Sequence, residues 1–375
     1  MILPDATLGM IGGGQLGRMF TMAARRMGYQ VIILDPDPHS PAGTIANQHI
    51  QSDYNDHAAL DILGDCCAVV TTEFENLPVK SLVHLQQHCP VRPAPETIAM
   101  AQDRLLEKAF LDQHDFPTVA FYAIQSAEDL EEAMSDLDEP GILKLAHPRY
   151  PGHGRHAVSA LDEALTAFQS MDEQPCILEE RLYVEKRLSV ILARSLDGEI
   201  GVYPVVENNY KKGLLDISLA PADISGETAE SAMEIASSLA DELEYCGVLA
   251  TELFLLADGE LLVNTLTPRP HNSGHYTADA CVTSQFEQQV RMLCGLPPGD
   301  TRLLSAVAMA NLMGDLWANG EPAWEQVFNE PSARLHLYGK VKARHGRKMG
   351  HINCLAGDTE SAYAIASAIC SKLAP

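Results

Sequence analysis

The chain has no CxxC pair, and its nine cysteines are scattered, with only Cys66 and Cys67 adjacent. That distribution argues against a zinc ribbon or a dense disulfide frame and suits reduced thiols in a cytoplasmic protein. No uninterrupted apolar run approaches the roughly 18 residues of a membrane span, and no basic stretch followed by an apolar one opens the chain. Neither a spanning helix nor a secretory address is expected. Basic residues are scarce: 26 Lys and Arg stand against 51 Asp and Glu, a formal net charge of −25. Such a surface repels nucleic-acid phosphates and anionic lipid, so neither is an expected partner. A phosphorylated small molecule has to be met by a local concentration of the few cations.

What is present is enough chain, 375 residues, for two or three packed subdomains. Leu8–Ile11, a helical stretch at Leu16–Met27 and Val31–Leu34 read as a βαβ opening, and Ala68–Thr71 as a further buried strand. Three prolines in Pro90–Pro95 mark a boundary. One long helix is expected from Thr97 to Asp115, then a helix at Ala127–Leu137, a strand at Ile142–Lys144 and a loop containing Pro148, Pro151, Gly152 and Gly154. Strand-like runs recur at Cys176–Glu179, Leu188–Ala193, Gly201–Val206, Val248–Leu256 and Leu261–Asn264, with Asp258-Gly259 as the turn between the last two. Apolar runs at Ala306–Leu312 and Arg334–Tyr338, a basic segment and a helix from Thr359 complete the pattern. By itself it gives a mixed α/β protein.

Gly12-Gly13-Gly14-Gln15-Leu16-Gly17 lies between a strand and a helix, and Asp35 ends the next strand. Glycines there let a backbone approach phosphate while the helix N-terminus supplies N–H donors. A dinucleotide fingerprint and a tight turn that merely packs helix on strand both fit these residues.

The run Gly12 to Met19, taken with Thr71-Thr72-Glu73-Phe74-Glu75-Asn76, resembles the N-terminal part of the N5-carboxyaminoimidazole ribonucleotide synthetase family of ATP-grasp ligases. The resemblance continues in order through Asp103-Arg104 with Lys108, Lys144, Leu178-Glu179-Glu180, Gly247–Glu252, Pro268–His275 and Gly346–His351. It implies a Rossmann-like pre-ATP-grasp domain over residues 1–95, an ATP-grasp domain of two subdomains over 96–300, and a small β-rich domain over 301–375. It also implies ATP and magnesium as cofactors, aminoimidazole ribonucleotide and bicarbonate as the other substrates, and a homodimer.

Residue by residue, the resemblance puts Lys108 and Lys144 on the ATP phosphates, Glu179 and Glu180 at the adenine hinge with Asn264 also on ATP, and Glu252 on the metal. Arg269, His271, Asn272 and His275 become the catalytic set. Gly14, Gln15, Leu16, Asp35, Glu73, Asn76, Ser273, Lys340, Arg344, Arg347 and Lys348 become the ribonucleotide contacts, the glycine-rich loop taking its phosphate.

Five positions depart from the family pattern, one of them Arg155, which stands in the phosphate loop where the family has a glutamine. Pro151 stands in the phosphate loop, Arg187 where an acid faces the ribose, Tyr210 in place of a histidine, and Thr265 in place of the second magnesium-binding acid. The expectation is either compensation, by acids such as Glu179 or Glu260, or a divergent binding protein with weak or no ATP turnover.

Overall fold

A computed structural model describes residues 1–137, 140–147 and 154–373. Pro148 and Pro151 of the anticipated phosphate loop lie outside the described residues.

The first unit is a parallel sheet flanked by helices. In chain order it comprises β1 (Thr7–Ile11), α1 (Gln15–Arg26), β2 (Gln30–Leu34), β3 (Gln48–Ile50), α2 (His57–Cys66), β4 (Val69–Thr72) and α3 (Val79–Leu85), with strand order β3-β2-β1-β4. Its central strands are buried on both faces. Ile11, Leu34 and Val70 pack on one side; Leu8, Met10 and Ile33 pack with Phe20 of α1 on the other. That continuous burial is why they read as short all-apolar runs without alternation.

The single helix expected over residues 97–115 is two, α4 (Pro95–Ala101) and α5 (Arg104–Gln113). Asp103 makes the break, because its side chain accepts from the Leu105 N–H and starts a new helix. A four-stranded antiparallel sheet follows, built from β5 (Phe121–Ile124), β6 (Gly141–Leu145), β7 (Arg155–Val158) and β8 (Cys176–Glu180) in the order β5-β8-β6-β7. Helices α6 (Ala127–Asp136) and α7 (Leu161–Ser170) cover one of its faces through Leu130, Ala164 and Phe168.

The remaining strands form one large sheet. Its elements are β9 (Val184–Arg194), β10 (Ile200–Val202), β11 (Val206–Lys211), β12 (Leu214–Ala220), β13 (Gly247–Leu256), β14 (Leu261–Thr267), β15 (Ala306–Met313), β16 (Ala333–Leu337) and β17 (Lys348–Ala356). The order is β14-β13-β9-β11-β12-β15-β17-β16, with β10 pairing β9. The strand expected over Gly201–Val206 is thus broken; Pro204 lies in the break and has no N–H to give a ladder. The last three strands extend the central sheet across the β12–β15 pair. Helix α8 (Gly226–Glu242) lies under β9 and β13, the short α9 (Thr277–Ala280) leads into α10 (Gln285–Leu293), and the short α11 (Glu325–Phe328) and α12 (Thr359–Leu373) close the end against β15 and β17. Helix α10 packs on α1, β9 and β13, which fixes the first unit against the large sheet.

Candidate active site

Four segments distant in sequence converge on one polar cleft. A cavity of about 340 Å3 lies where α5 and the β6–β7 pair face the β13–β14 hairpin and the loop after β4. Lys144, Arg104 and Arg155 line one side, and Glu252, Asn264 and Thr265 the other. Arg155 also borders a second hollow of about 640 Å3 beside Arg181, Tyr183, Glu185 and Arg187. In a chain of net charge −25 this gathering of cations is the local concentration that an anionic ligand requires.

Burial pulls the pKa values of Lys144 and Arg155 down; neighbouring guanidinium groups add to this, and Glu179 opposes it. Lys144 is ion-paired with Glu179, and Lys108 lies 3.4 Å from the other oxygen of the same carboxylate. Burial opposes ionisation of Glu179, but Lys144 and Lys108 override it and hold the carboxyl below its usual range. Of the two lysines expected on phosphates, Lys144 lines the cleft and Lys108 is buried behind it, and the one Glu179 carboxylate, shared between them, leaves a net positive charge. Glu180, at the end of β8, is not among the residues lining the cavity.

Glu252 and Thr265 are cross-strand partners, which puts their side chains on one face of the hairpin. Asn264 donates to Glu252 Oε2 at 3.2 Å, the Tyr210 hydroxyl to its Oε1 at 3.2 Å, and His271 Nε2 lies 3.5 Å from Oε1. Thr265 donates to Glu107 Oε1 at 2.9 Å, and the Leu266 N–H to the same oxygen at 2.5 Å. Glu107 is buried in the cavity wall, which raises its pKa against the pull of these donors.

The unexpected residues thus form a packed set. Arg187 lies 5.4 Å from the Tyr210 ring centroid and 5.0 Å from that of Phe254, Tyr210 bonds Glu252, and Thr265 bonds Glu107. The acids expected to compensate do not. Glu179 is held by lysines, and Glu260 is exposed at the hairpin turn. Glu107 is the carboxylate beside Thr265, and Glu185 borders the same hollow as Arg187.

Arg269 grips Glu75 with two N–H groups, at 2.5 and 3.1 Å, and its third bond goes to the Pro270 carbonyl at 3.2 Å. His271 Nδ1 meets the Ser273 hydroxyl at 2.7 Å, and burial, then Arg269 and Lys348, push its pKa down to about 3. A neutral imidazole in this position accepts or donates without carrying charge. Ser273 is fully buried, so it orients His271 and does not itself face the cleft. His275 is also fully buried, with its ring among Phe286, Tyr338 and His351 and its Nδ1 on Gln285 at 3.1 Å. Its expected catalytic role is corrected to packing beneath the motif.

Gln15 joins three parts of the chain. Its amide donates to Asn272 at 2.8 Å, and its oxygen accepts from Lys340 at 2.7 Å. Lys340 also donates to the Lys348 carbonyl at 2.6 Å. Burial, chiefly, lowers both Lys340 and Lys348 to about 8. Arg344 is exposed, and Arg347 spends one N–H on the Lys342 carbonyl at 2.7 Å.

The glycine-rich loop differs from expectation. Its donors are taken by carboxylates: Gly13 N–H by Asp35 at 2.7 Å, Leu16 N–H by Glu73 at 3.0 Å, and Gly14 N–H also by Glu73. Both acids are buried, and burial raises the pKa of Glu73 despite the backbone bonds. A phosphate has no free cradle at these N–H groups, so Asp35 and Glu73 serve to hold the loop and Gln15 in place. Asn76 lines the main cavity, as does Glu75, whose pairing with Arg269 no local pattern foretells.

Comparison with known proteins matches this architecture piece by piece. A ribonucleotide synthetase preATP-grasp domain matches residues 5–102, an ATP-grasp domain 109–286, and a phosphoribosylaminoimidazole carboxylase C-terminal domain 307–364. The N5-carboxyaminoimidazole ribonucleotide synthase of Brucella melitensis is 44% identical over 93% of this chain and 96% of its own length. That of Bacillus subtilis is 40% identical over 94% and 92%. Among solved structures, an ADP complex of an N5-carboxyaminoimidazole ribonucleotide synthetase superposes with a TM-score of 0.93 at 40% identity, covering 99% of this chain and 97% of that one. An Aspergillus clavatus N5-carboxyaminoimidazole synthase with ADP and 5-aminoimidazole ribonucleotide gives 0.91 at 28% identity, covering 98% of each chain. With the cleft, the three matched segments and relatives that align end to end, the chain belongs to the N5-carboxyaminoimidazole ribonucleotide synthase family.

Proposed function

We propose that the protein carboxylates the exocyclic amine of 5-aminoimidazole ribonucleotide in purine biosynthesis, using ATP and bicarbonate and releasing ADP and phosphate. The observation that carries this reading is the cleft lined by the cationic α5 and β6–β7 wall, by Glu252 and Asn264 of the β13–β14 hairpin and by Glu75, with Arg269 and His271 of the motif reaching Glu75 and Glu252 at its edge. The nucleotide phosphates take Lys144, Arg104, Arg155 and Lys108, freeing Glu179 from part of its load. The adenosine side takes the hollow beside Arg181 and Tyr183, with Glu179 and Glu180 at its edge and Glu185 supplying the acceptor that Arg187 lacks.

The donor set of the hairpin fits magnesium, which prefers carboxylate and amide oxygens together with substrate phosphates. Glu252, Asn264 and Glu107 would hold it, and its chemistry is neutralisation of phosphate charge. Glu107 thereby replaces the acid missing at Thr265. Arg269, fixed by Glu75, presents its remaining surface to the carboxyphosphate. Neutral His271, oriented by Ser273, hydrogen-bonds the attacking amine with Asn272 nearby, and the amine proton leaves with the released phosphate. Gln15, Lys340 and Lys348 bind the ribonucleotide, with Arg344 and Arg347 at the mouth. Catalysis is positioning and charge neutralisation in a site where Lys108, Lys144 and Arg269 are held in place by ion pairs.

A cytoplasmic homodimer with domains at residues 1–95, 96–300 and 301–375 completes the reading; sedimentation at micromolar concentration checks the assembly. The activity is checked by a coupled ADP assay in which each substrate is withheld in turn. ADP release that needs both ribonucleotide and bicarbonate supports the proposal. ADP release indifferent to the ribonucleotide contradicts it.

A further inference from the structure

Away from the cleft, α2 and the end of α3 bring histidines and aspartates together. His57, Asp61 and Asp65 repeat every four residues along α2 and so share one stripe. His84 lies in the last turn of α3, and His88 lies one turn beyond. Both rings point the same nitrogen at one oxygen: His84 Nε2 is 2.6 Å and His88 Nε2 3.1 Å from Asp61 Oδ1. The far nitrogen of His88, Nδ1, lies 2.8 Å from Asp65 Oδ1. The His57 ring packs edge-on against His84 with centroids 4.3 Å apart. None of these residues lines the nucleotide cleft.

We propose that Asp61, His84 and His88 form a transition-metal site of the zinc, nickel or copper class, with Asp65 orienting His88 from behind. One ligand atom from each of the three lies within 4.8 Å of the others, so an ion seated among them reaches all three with small side-chain movements. Binding takes the Nε2 lone pair of both rings, each keeping one proton on Nδ1; any proton beyond one per ring passes to solvent, and Asp61 stays ionised as the third ligand. Asp65 on Nδ1 fixes the tautomer that turns Nε2 inward, the usual carboxylate support for a metal-bound histidine. Two imidazoles in the set select against magnesium and calcium, which take oxygen.

The scaffold is held independently of any ion. A Cβ on Gly64 would fall 2.5 Å from the Cβ of His88, so the glycine is what lets α2 and the end of α3 close on each other. The side chains of Asp61, His84 and His88 are 46%, 20% and 24% exposed, which leaves a solvent side for water ligands and an entry path. A lone aspartate–histidine pair on a surface needs one ring. Here two rings converge and a second carboxylate backs one of them, the pattern of a first and second coordination shell.

The test is calorimetric titration of the whole protein with Ni2+ and then Zn2+, with the cleft filled by excess magnesium and ADP. Wild type is expected to take up one molar equivalent that both His84→Ala and His88→Ala lose, while each variant keeps its ADP affinity as proof of folding. Asp65→Asn should keep the equivalent and weaken it about tenfold. Ions taken up equally by wild type and both histidine variants, as scattered cysteines would do, overturn the proposal, and so does no uptake at all.

Discussion

Glu107 bears on how the hairpin holds a cation without an acid at position 265. It is buried and accepts two hydrogen bonds at its Oε1, so Glu107→Gln preserves shape while removing charge. The expected outcome is ADP affinity in magnesium weakened about tenfold, the scale of one lost charge-assisted contact, with affinity in EDTA unchanged. Calorimetry with and without magnesium reads the difference; equal weakening in both conditions would make Glu107 only a support for the β14 backbone. Arg269 and Glu75 invite a different substitution. Arg269→Ala leaves a half-buried carboxylate alone and should destabilise by about 1–3 kcal/mol. Arg269→Lys keeps the charge and should fold, yet lose on the order of a hundredfold in kcat, because a lysine cannot hold Glu75 at two points and face the cleft as well. Thermal melts and steady-state rates of the two variants separate these effects.

The lysines near the C-terminal edge set a pH limit. Lys348 and Lys340 are lowered from 10.5 to about 8, mainly by burial, so their charge is present below that value and lost above it. The KM for the ribonucleotide should therefore rise as pH passes 8, and Lys348→Arg should move that limb to higher pH. In the ligand-free protein the sign is opposite. Folding disfavours the charged form, so stability grows between pH 8 and the unfolded value of 10.5. A KM flat from pH 7 to 9 would remove both lysines from the binding site.

At the scale of elements, α1 reaches the catalytic loop through one side chain. Gln15 bonds Asn272, 257 residues away, and Lys340, 325 residues away, so Gln15→Leu cuts a three-way junction. The expected result is a ribonucleotide KM raised about tenfold with the ATP KM nearly unchanged, measured in the coupled assay. Legibility in the sequence follows the same division. Buried parallel strands such as β1, β2 and β4 were readable because both faces are apolar. Strand β17 was hidden, since it starts at Lys348 inside a basic segment and has a core evident only once β15 and β16 flank it. The break between α4 and α5 turned on one capping bond at Asp103. Of the residues in the proposed site, Lys144, Glu252, Arg269 and His271 were suggested by motif, whereas Glu107 was not, because its partner at residue 265 is 158 positions away. His275 looked like a site residue by its place in the motif; only the packing of α10 and β17 around it shows that it is interior.

For the whole molecule, the units are joined by shared sheets and helices more than by flexible connections. The β12–β15 pair carries the C-terminal strands on the central sheet, and α10 fixes the first unit to its face. Side chains from residues 15, 272 and 340 can therefore stay within hydrogen-bond reach of one another, which an enzyme working by positioning requires. On the proposed function, the packed set of Arg187, Tyr210, Glu252, Thr265 and Glu107 makes the departures from the family pattern an accommodated arrangement of the nucleotide site. The most direct test of that claim measures ADP formed and 13C-bicarbonate carried onto the ribonucleotide in the same reaction, for wild type and for Thr265→Glu with Arg187→Glu. The account predicts one carboxylation per ADP in wild type and no gain in the double variant. A wild type that releases no ADP, with turnover appearing only once the two acids are restored, would contradict it.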